Sequence, residues 1–336
     1  MFKKVAITGG AGYVGSALVP HLLQEGYDVT VMDLYLYGRH VFKGVEHADR
    51  LHEVEVDIRD ETAVARHLAG VDAVIHLACV SNDPSFELNP ALGRSINYDA
   101  FRGLLRAVSS HRIKRFIYAS SSSVYGVKEE RDVHEDMTCE PLTDYSKYKL
   151  LCEDLLKQGR WRDMEWVILR PATVCGWAPR LRLDLTVNTL TIHALVRKKI
   201  TVFGGSQLRP NIHIQDMAAA YGLLLEAPRE AVKGETFNIG TQNCSVSEIA
   251  DIVRSEIGDG SVTIVTEPTE DLRSYHINSD RIRRTLGFKP RWTIQDAVRS
   301  LVEAYRAGKV HDPLNNISYY NIKTMQALKL EEGLYV

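Results

Sequence analysis

The first 33 residues restrict the fold more than any other part of the chain. "KKVAIT" is a short apolar run that ends in a pair of glycines. From Tyr13 to Glu25 the apolar residues Val14, Leu18, Leu22 and Leu23 recur at helical spacing, and "DVTVMD" then reads as a second buried strand. Strand, glycine turn, helix, strand is one βαβ unit. The same rhythm continues through the strand "LHEVEVD", a helix from Glu61 to Ala69, the strand "DAVIHLA", a helix over 91–111 and the strand "RFIYAS". A helix containing "DYSKYKLLCE" and the strand "WVILRP" follow. Apolar runs separated by helices predict a parallel sheet covered on both faces.

After Pro171 the rhythm breaks into an irregular α/β stretch. It holds a loop with Arg180 and Arg182, a helix from Leu185 to Arg197, "KITVFGG", "RPNIHI", a helix from Asp216 to Glu226 and "ETFNIG". Ser245 and Glu248 form a capping-box pattern ahead of "IADIVRSEIG". Beyond His311 the periodicity is weak. The division predicted is 1–170 for the sheet domain, 171–311 for a smaller substrate-binding region and 312–336 for a tail.

Charge narrows the partners. Forty-one basic residues face 43 acidic ones, with no block of either sign. That argues against a nucleic-acid or membrane-surface binder, although small anionic ligands need only a few arginines. Five scattered cysteines show no metal-ligand spacing, so no metal is expected and the thiols read as reduced. With no signal-peptide pattern and no bilayer-length apolar run, the expected compartment is the cytoplasm.

"TGGAGYVGS" places Gly9, Gly12 and Gly15 between a strand and a helix, with Tyr13 and Val14 among them. Glycine permits the turn, lets a pyrophosphate approach the backbone, and opens onto the free N–H groups of a helix start. The spacing is G-x-x-G-x-x-G. Asp33 ends the second strand, 18 residues after Gly15. A carboxylate there accepts ribose hydroxyls and repels a 2′-phosphate, which favours NAD over NADP. Arg39 is the nearest basic residue that could offset this. Asp57, with Ile58 beside it, is placed to meet the adenine. Leu77 and Ala78 of "HLAC" supply a small-residue floor for the cofactor.

Tyr145 and Lys149 stand four residues apart and share one helical face. That spacing alone is equally a property of an amphipathic helix. Oxidation of a secondary alcohol gives the pair a chemical use. A free tyrosine has a pKa of about 10, and a nearby ammonium or other positive charge would lower it toward a working base.

"TGGAGYVGS", "HLAC", "ASSSSVYG" and "YSKYK" occur in the order and spacing of the extended short-chain dehydrogenase/reductases, and the chain resembles their nucleotide-sugar epimerase and dehydratase group over roughly residues 1–310. The resemblance implies a Rossmann-type doubly wound parallel sheet. It places a catalytic serine at Ser121, with Ser120, Ser122 and Ser123 as alternatives, and the acid/base pair at Tyr145 and Lys149. Asn97 falls at the family's asparagine, with a role in local backbone support. Arg209 and Arg273 match arginines that bind a nucleotide diphosphate. Arg180, Arg182, Asn188, Ser81 and Ser122 are further candidates for substrate contact. The expected partners are a nucleotide-diphosphate sugar and a second copy of the chain, packed through the helices 98–111 and 145–158. Two departures stand out. Ser122 and Ser123 replace the Asp-Glu pair of the 4,6-dehydratases, and Thr173 stands where the epimerases usually carry Asn. The expected activity is therefore 4-epimerisation through a transient 4-keto sugar. Net 4-dehydrogenation or 4-ketoreduction with the same triad is the alternative, and a 4,6-dehydratase or a non-catalytic NAD-binding protein stands behind it.

Overall fold

The computed structural model describes residues 2–130, 132–159, 161, 163–269, 274 and 276–330. Its strands in chain order are β1 (Lys4–Thr8), β2 (Asp28–Asp33), β3 (Leu51–Glu55), β4 (Ala73–His76), β5 (Arg115–Ala119), β6 (Glu165–Pro171), β7 (Thr173–Cys175), β8 (Lys199–Phe203), β9 (Leu208–His213), β10 (Glu235–Ile239), β11 (Gln242–Ser245) and β12 (Thr263–Glu267). Seven of them form a parallel sheet in the order β10-β6-β5-β4-β1-β2-β3. The order reverses between β1 and β4. Connections leave to opposite faces there and open a crevice beyond the strand ends.

Alternation along the strands feeds two cores. Val5 and Ile7 pack with Leu18, Leu22 and Leu23 of helix Tyr13–Gln24 and with Met217, Tyr221 and Leu224 of helix Ile214–Glu226. Ala6 points the other way, into a core shared with Phe101, Leu105, Cys152 and Leu156. Both sheet faces are therefore dry, which is why these strands read as unbroken apolar runs. The last strand, β10, comes from beyond residue 170 and pairs with β6.

The remaining strands form two small sheets, β11-β9-β7 and β12-β8. Helices Thr186–Arg197, Val246–Ile257 and Ile294–Arg306 enclose their own core of Leu190, Ile249, Val253, Val298 and neighbours. The Ser245/Glu248 capping box is formed, and Thr293/Asp296 makes a second one.

Three sequence expectations change. The helix over 91–111 is broken into Pro90–Arg94, a π-helical turn Ser95–Asp99 and Ala100–Ser110. The wide turn carries Asn97, whose amide clasps Val80: Val80 N–H donates to Oδ1 at 2.7 Å and Nδ2 donates to the Val80 carbonyl at 3.0 Å. The tail contains helix Asn321–Ala327, which brings Met325 and Leu330 against Leu92. The apolar residues taken as marks of a dimer face are mostly spent inside the subunit. Phe101 and Leu105 are buried and Leu155 packs on the same core, leaving only Leu151 at 40% exposure. Among the described residues, no helix is long and apolar enough to cross a membrane.

Candidate active site

One cleft beyond the C-terminal ends of β1, β2, β4, β5 and β6 collects most of the sequence candidates. Gly9, Gly12, Tyr13, Val14, Gly15, Asp33, Asp57, Ile58, Leu77, Ala78, Ser81, Ser121, Ser122, Tyr145, Lys149, Arg180 and Arg182 all line it.

At the glycine turn, Gly9 has φ +70°, and a Cβ there would lie 2.5 Å from the Ala78 backbone. The β1 turn and the end of β4 can touch only because that atom is missing. A Cβ on Gly15 would sit 2.1 Å from the Gly10 carbonyl oxygen. Gly12 begins the helix without a side-chain cap, so the positive helix end is open to the cleft. Asp33 braces the turn: Ala11 N–H donates to Oδ2 at 2.9 Å and Tyr35 N–H to Oδ1 at 2.8 Å. Burial pushes its carboxyl above the usual range, and those N–H groups oppose the shift. Asp57 is held by Arg59, whose Nε donates to both carboxylate oxygens at 3.0 and 2.9 Å. His76, at the end of β4, is bonded to Thr8 Oγ1 at 2.6 Å; burial lowers its pKa to about 3, so it stays neutral and structural.

At the other end, the four serines separate by partner. Ser120 donates to buried Glu153 Oε1 at 2.6 Å. Ser121 and Ser123 hydroxyls lie 2.8 Å apart. Ser121 is the one whose hydroxyl acts on the Tyr145 phenol and draws its pKa down. Tyr125, of the V-Y-G triplet, donates to Asn238 Oδ1 at 2.7 Å, away from this centre. Lys149 Nζ donates to the Ala119 carbonyl at 2.6 Å and lies 5.9 Å from the centroid of the Tyr145 ring. Burial pushes Tyr145 well up, Cys79 and Asp83 add to that, and Arg182 and Ser121 pull it back.

The arginines part company. Arg182 forms an ion pair with Asp184 (Nε–Oδ1 2.9 Å) and donates to Ser81 Oγ at 3.1 Å. Asn188 is fully buried under this loop and does not line the cleft. It accepts Gly176 N–H at 3.0 Å and donates to the Arg182 carbonyl and the Tyr13 hydroxyl at 2.8 and 3.1 Å. Asn97 also stands behind the wall, and Arg209, on β9, donates to the Leu208 carbonyl at 3.1 Å outside the cleft. Arg273 lies outside the described residues. The sequence reading missed Asn321. Its Nδ2 donates to Ser81 Oγ at 2.9 Å, and its Oδ1 accepts Arg180 Nη2 at 2.5 Å. No periodicity or motif marks it. Asp184 left a trace in the R-x-R-x-D spacing of "RLRLD".

The model of the NAD-dependent epimerase/dehydratase family matches residues 5–240. The chain belongs to that family. It is 29% identical to a putative UDP-glucose 4-epimerase of Methanocaldococcus jannaschii over 89% of this chain and 97% of that protein. It is also 29% identical to a dTDP-glucose 4,6-dehydratase of Streptomyces niveus, over 90% and 93%. A crystal structure of UDP-glucuronic acid 4-epimerase from Bacillus cereus, with UDP-glucuronic acid and NAD, superposes with a TM-score of 0.81 at 25% identity over 90% of this chain and 99% of that one. As an extended short-chain dehydrogenase/reductase of this family, the protein is an NAD-dependent enzyme.

The residues present fit that cofactor. The Gly9–Ala78 approach leaves room for a phosphate-bearing ligand where a Cβ would otherwise stand, and the uncapped helix start offers it N–H donors. Arg39 turns away to an ion pair with Glu55 and packs over Tyr35, 4.9 Å from its ring centroid. It therefore does not offset Asp33. NADP should bind at least about tenfold more weakly than NAD, because its 2′-phosphate would face the carboxylate. Titration of the protein with each dinucleotide checks this, and equal affinities would remove Asp33 from the ribose site.

Proposed function

We propose that the protein is a nucleotide-sugar 4-epimerase. The observation that carries this reading is the meeting of Ser121, Tyr145 and Lys149 in the same cleft as the glycine turn. Tyr145 takes the proton of the C4 hydroxyl at its phenolic oxygen. Ser121 hydrogen-bonds the reacting oxygen while its charge changes. Lys149, fixed on the Ala119 carbonyl, keeps a positive charge beside the tyrosine ring. NAD, when bound, supplies the acceptor and donor for the C4 hydride and a positive charge next to the phenol. Once the 4-keto sugar has turned its other face, Tyr145 returns the proton.

Elimination of water would need an acid and a base in addition to this set. The positions after Ser121 hold Ser122, which is buried, and Ser123, which is bonded to Ser121. That supports epimerisation over dehydration. The diphosphate sugar is the substrate class supported by the named relatives, with Arg182 and Ser81 at the mouth of the reacting end.

Incubation of the purified protein with UDP-, GDP-, dTDP- and CDP-sugars, read by mass spectrometry and proton NMR, tests the proposal. The expected product has the substrate's mass and an inverted C4 without added NAD. Loss of two hydrogens would identify a 4-dehydrogenase, and loss of water a dehydratase; either would overturn the epimerase reading.

A further inference from the structure

Arg180 is buried without a counterion. It is 4% exposed, its Nε has no hydrogen-bond partner, and among the described residues no carboxylate forms an ion pair with it. Asp184, the nearest candidate in sequence, is paired with Arg182. The guanidinium is nonetheless held in one place. Nη2 donates to Asn321 Oδ1 at 2.5 Å, and the guanidinium carbon lies 3.8 Å from the centroid of the Tyr37 ring. Burial lowers its pKa to about 10, the sign of a charge short of compensation. A buried arginine left in this state is costly unless an anion completes it, and this one lines the cleft.

Its neighbours say which anion. The Arg180 N–H donates to Ser16 Oγ, in the first turn of the helix that follows the glycines, at 3.2 Å. Tyr37 belongs to the loop after β2, and Asp33 is among the charges Arg180 feels. All of these flank the cofactor half of the cleft. Arg182, two residues on, is the arginine whose charge acts on Tyr145. Both arginines of the loop line the cleft, and Arg182, which also acts on Tyr37, is the one of the two that reaches Tyr145.

We propose that Arg180 binds the pyrophosphate of the dinucleotide together with the start of helix Tyr13–Gln24, and that Asn321 of the C-terminal helix latches it there and slows release of the cofactor. A pyrophosphate carries two negative charges, and one uncapped helix end does not neutralise both. Asn321 ties the tail to the site at three points. Its Oδ1 holds Arg180, its Nδ2 donates to Ser81 Oγ at 2.9 Å, and its backbone N–H donates to Asp184 Oδ2 at 3.3 Å. Met325 and Leu330 of the same tail line the cleft beside Leu36 and Leu92. An enzyme that returns the same hydride in each cycle gains from such retention. In that respect the inference rests on the epimerase reading, while binding itself is measured apart from activity.

The test uses the full chain, calorimetry with NAD, ADP and adenosine, and stopped-flow release of NAD. Arg180→Ala should weaken NAD and ADP by about tenfold or more, the scale of one charge-assisted contact, and leave adenosine unchanged. Asn321→Ala should speed NAD release by about tenfold with a smaller change in the association rate. Arg180→Gln, which keeps length and polarity, replaces the alanine variant should that fail to fold, with the same expected pattern. Unchanged NAD and ADP affinity in the arginine variants would overturn the proposal. So would equal weakening of adenosine, which marks a collapsed site, or weaker UDP binding to NAD-loaded protein with NAD affinity intact. A wild-type protein that binds no NAD would overturn the epimerase reading as well. NAD binding in the wild type with no effect of Arg180 overturns this inference alone.

Discussion

Tyr145→Phe should keep the fold and the bound NAD and lose turnover by about a hundredfold or more. The substitution removes one oxygen atom and leaves the ring. Lys149 does not depend on that oxygen, because its ammonium is anchored on the Ala119 carbonyl. The glycine turn, braced by Asp33, stands at the other end of the cleft. On the proposed mechanism, what disappears is the group that exchanges a proton with the C4 hydroxyl, while the Ser121 hydroxyl keeps its partner Ser123. Positioning of the sugar against the dinucleotide survives, so a residual rate should remain. Turnover with the preferred nucleotide sugar and the absorbance of NAD released on denaturation measure both halves. Near-normal turnover would return Tyr145 and Lys149 to the status of an ordinary helical face.

The glycine turn, Asp33 and the Tyr145–Lys149 pair were legible because each depends on chemistry written within a few residues. A φ of +70° at Gly9 demands glycine, and two buried sheet faces demand apolar runs. The serine could be narrowed only by partners. "SSSS" is uninformative until Ser120 is seen on Glu153, which leaves Ser121 as the serine that acts on the Tyr145 phenol. Other features were hidden because their causes are remote in sequence. Asn97 interrupts its helix for the sake of Val80, 17 residues earlier. Asn321 reaches Arg180 across 141 residues, and nothing in the local pattern of the tail announces it. Asn188 looked like a phosphate ligand by residue type, and it is consumed in holding Gly176, Arg182 and Tyr13. Residue type proposes a ligand, but whether the side chain is still available is a tertiary fact.

Glu153→Gln should destabilise the protein by about 3–5 kcal/mol, since it leaves a buried arginine without its countercharge. Glu153 is 0% exposed and Arg170 is 2% exposed, and they pair through Nε–Oε1 at 2.9 Å and Nη2–Oε2 at 2.6 Å. Lys157 and Ser120 occupy the remaining acceptor positions, at 2.9 and 2.6 Å. Arg170 extends the network to the Tyr125 hydroxyl at 2.8 Å. The pair fixes helix Asp144–Gln158, which carries Tyr145 and Lys149, against β6. Burial alone would raise the Glu153 pKa, but Arg170, Lys157 and Ser120 more than offset it and hold the carboxyl below its usual 4.5. The unfolded chain therefore binds the proton first. The stabilisation is complete above about pH 4.5 and is lost as pH falls through the lower folded value. Denaturant melts at neutral pH should show the loss, and the variant's acid profile should be flatter below pH 4.5 than that of the wild type. Replacing both partners, Glu153→Leu with Arg170→Met, should recover part of the difference, because neither charge then remains to be compensated. A single variant within about 1 kcal/mol of wild type would put this pair in the class of exposed ion pairs. The anchoring of helix Asp144–Gln158 would then have to come from its other contacts, the apolar packing of Cys152, Leu155 and Leu156 and the bond of Lys149 to the Ala119 carbonyl.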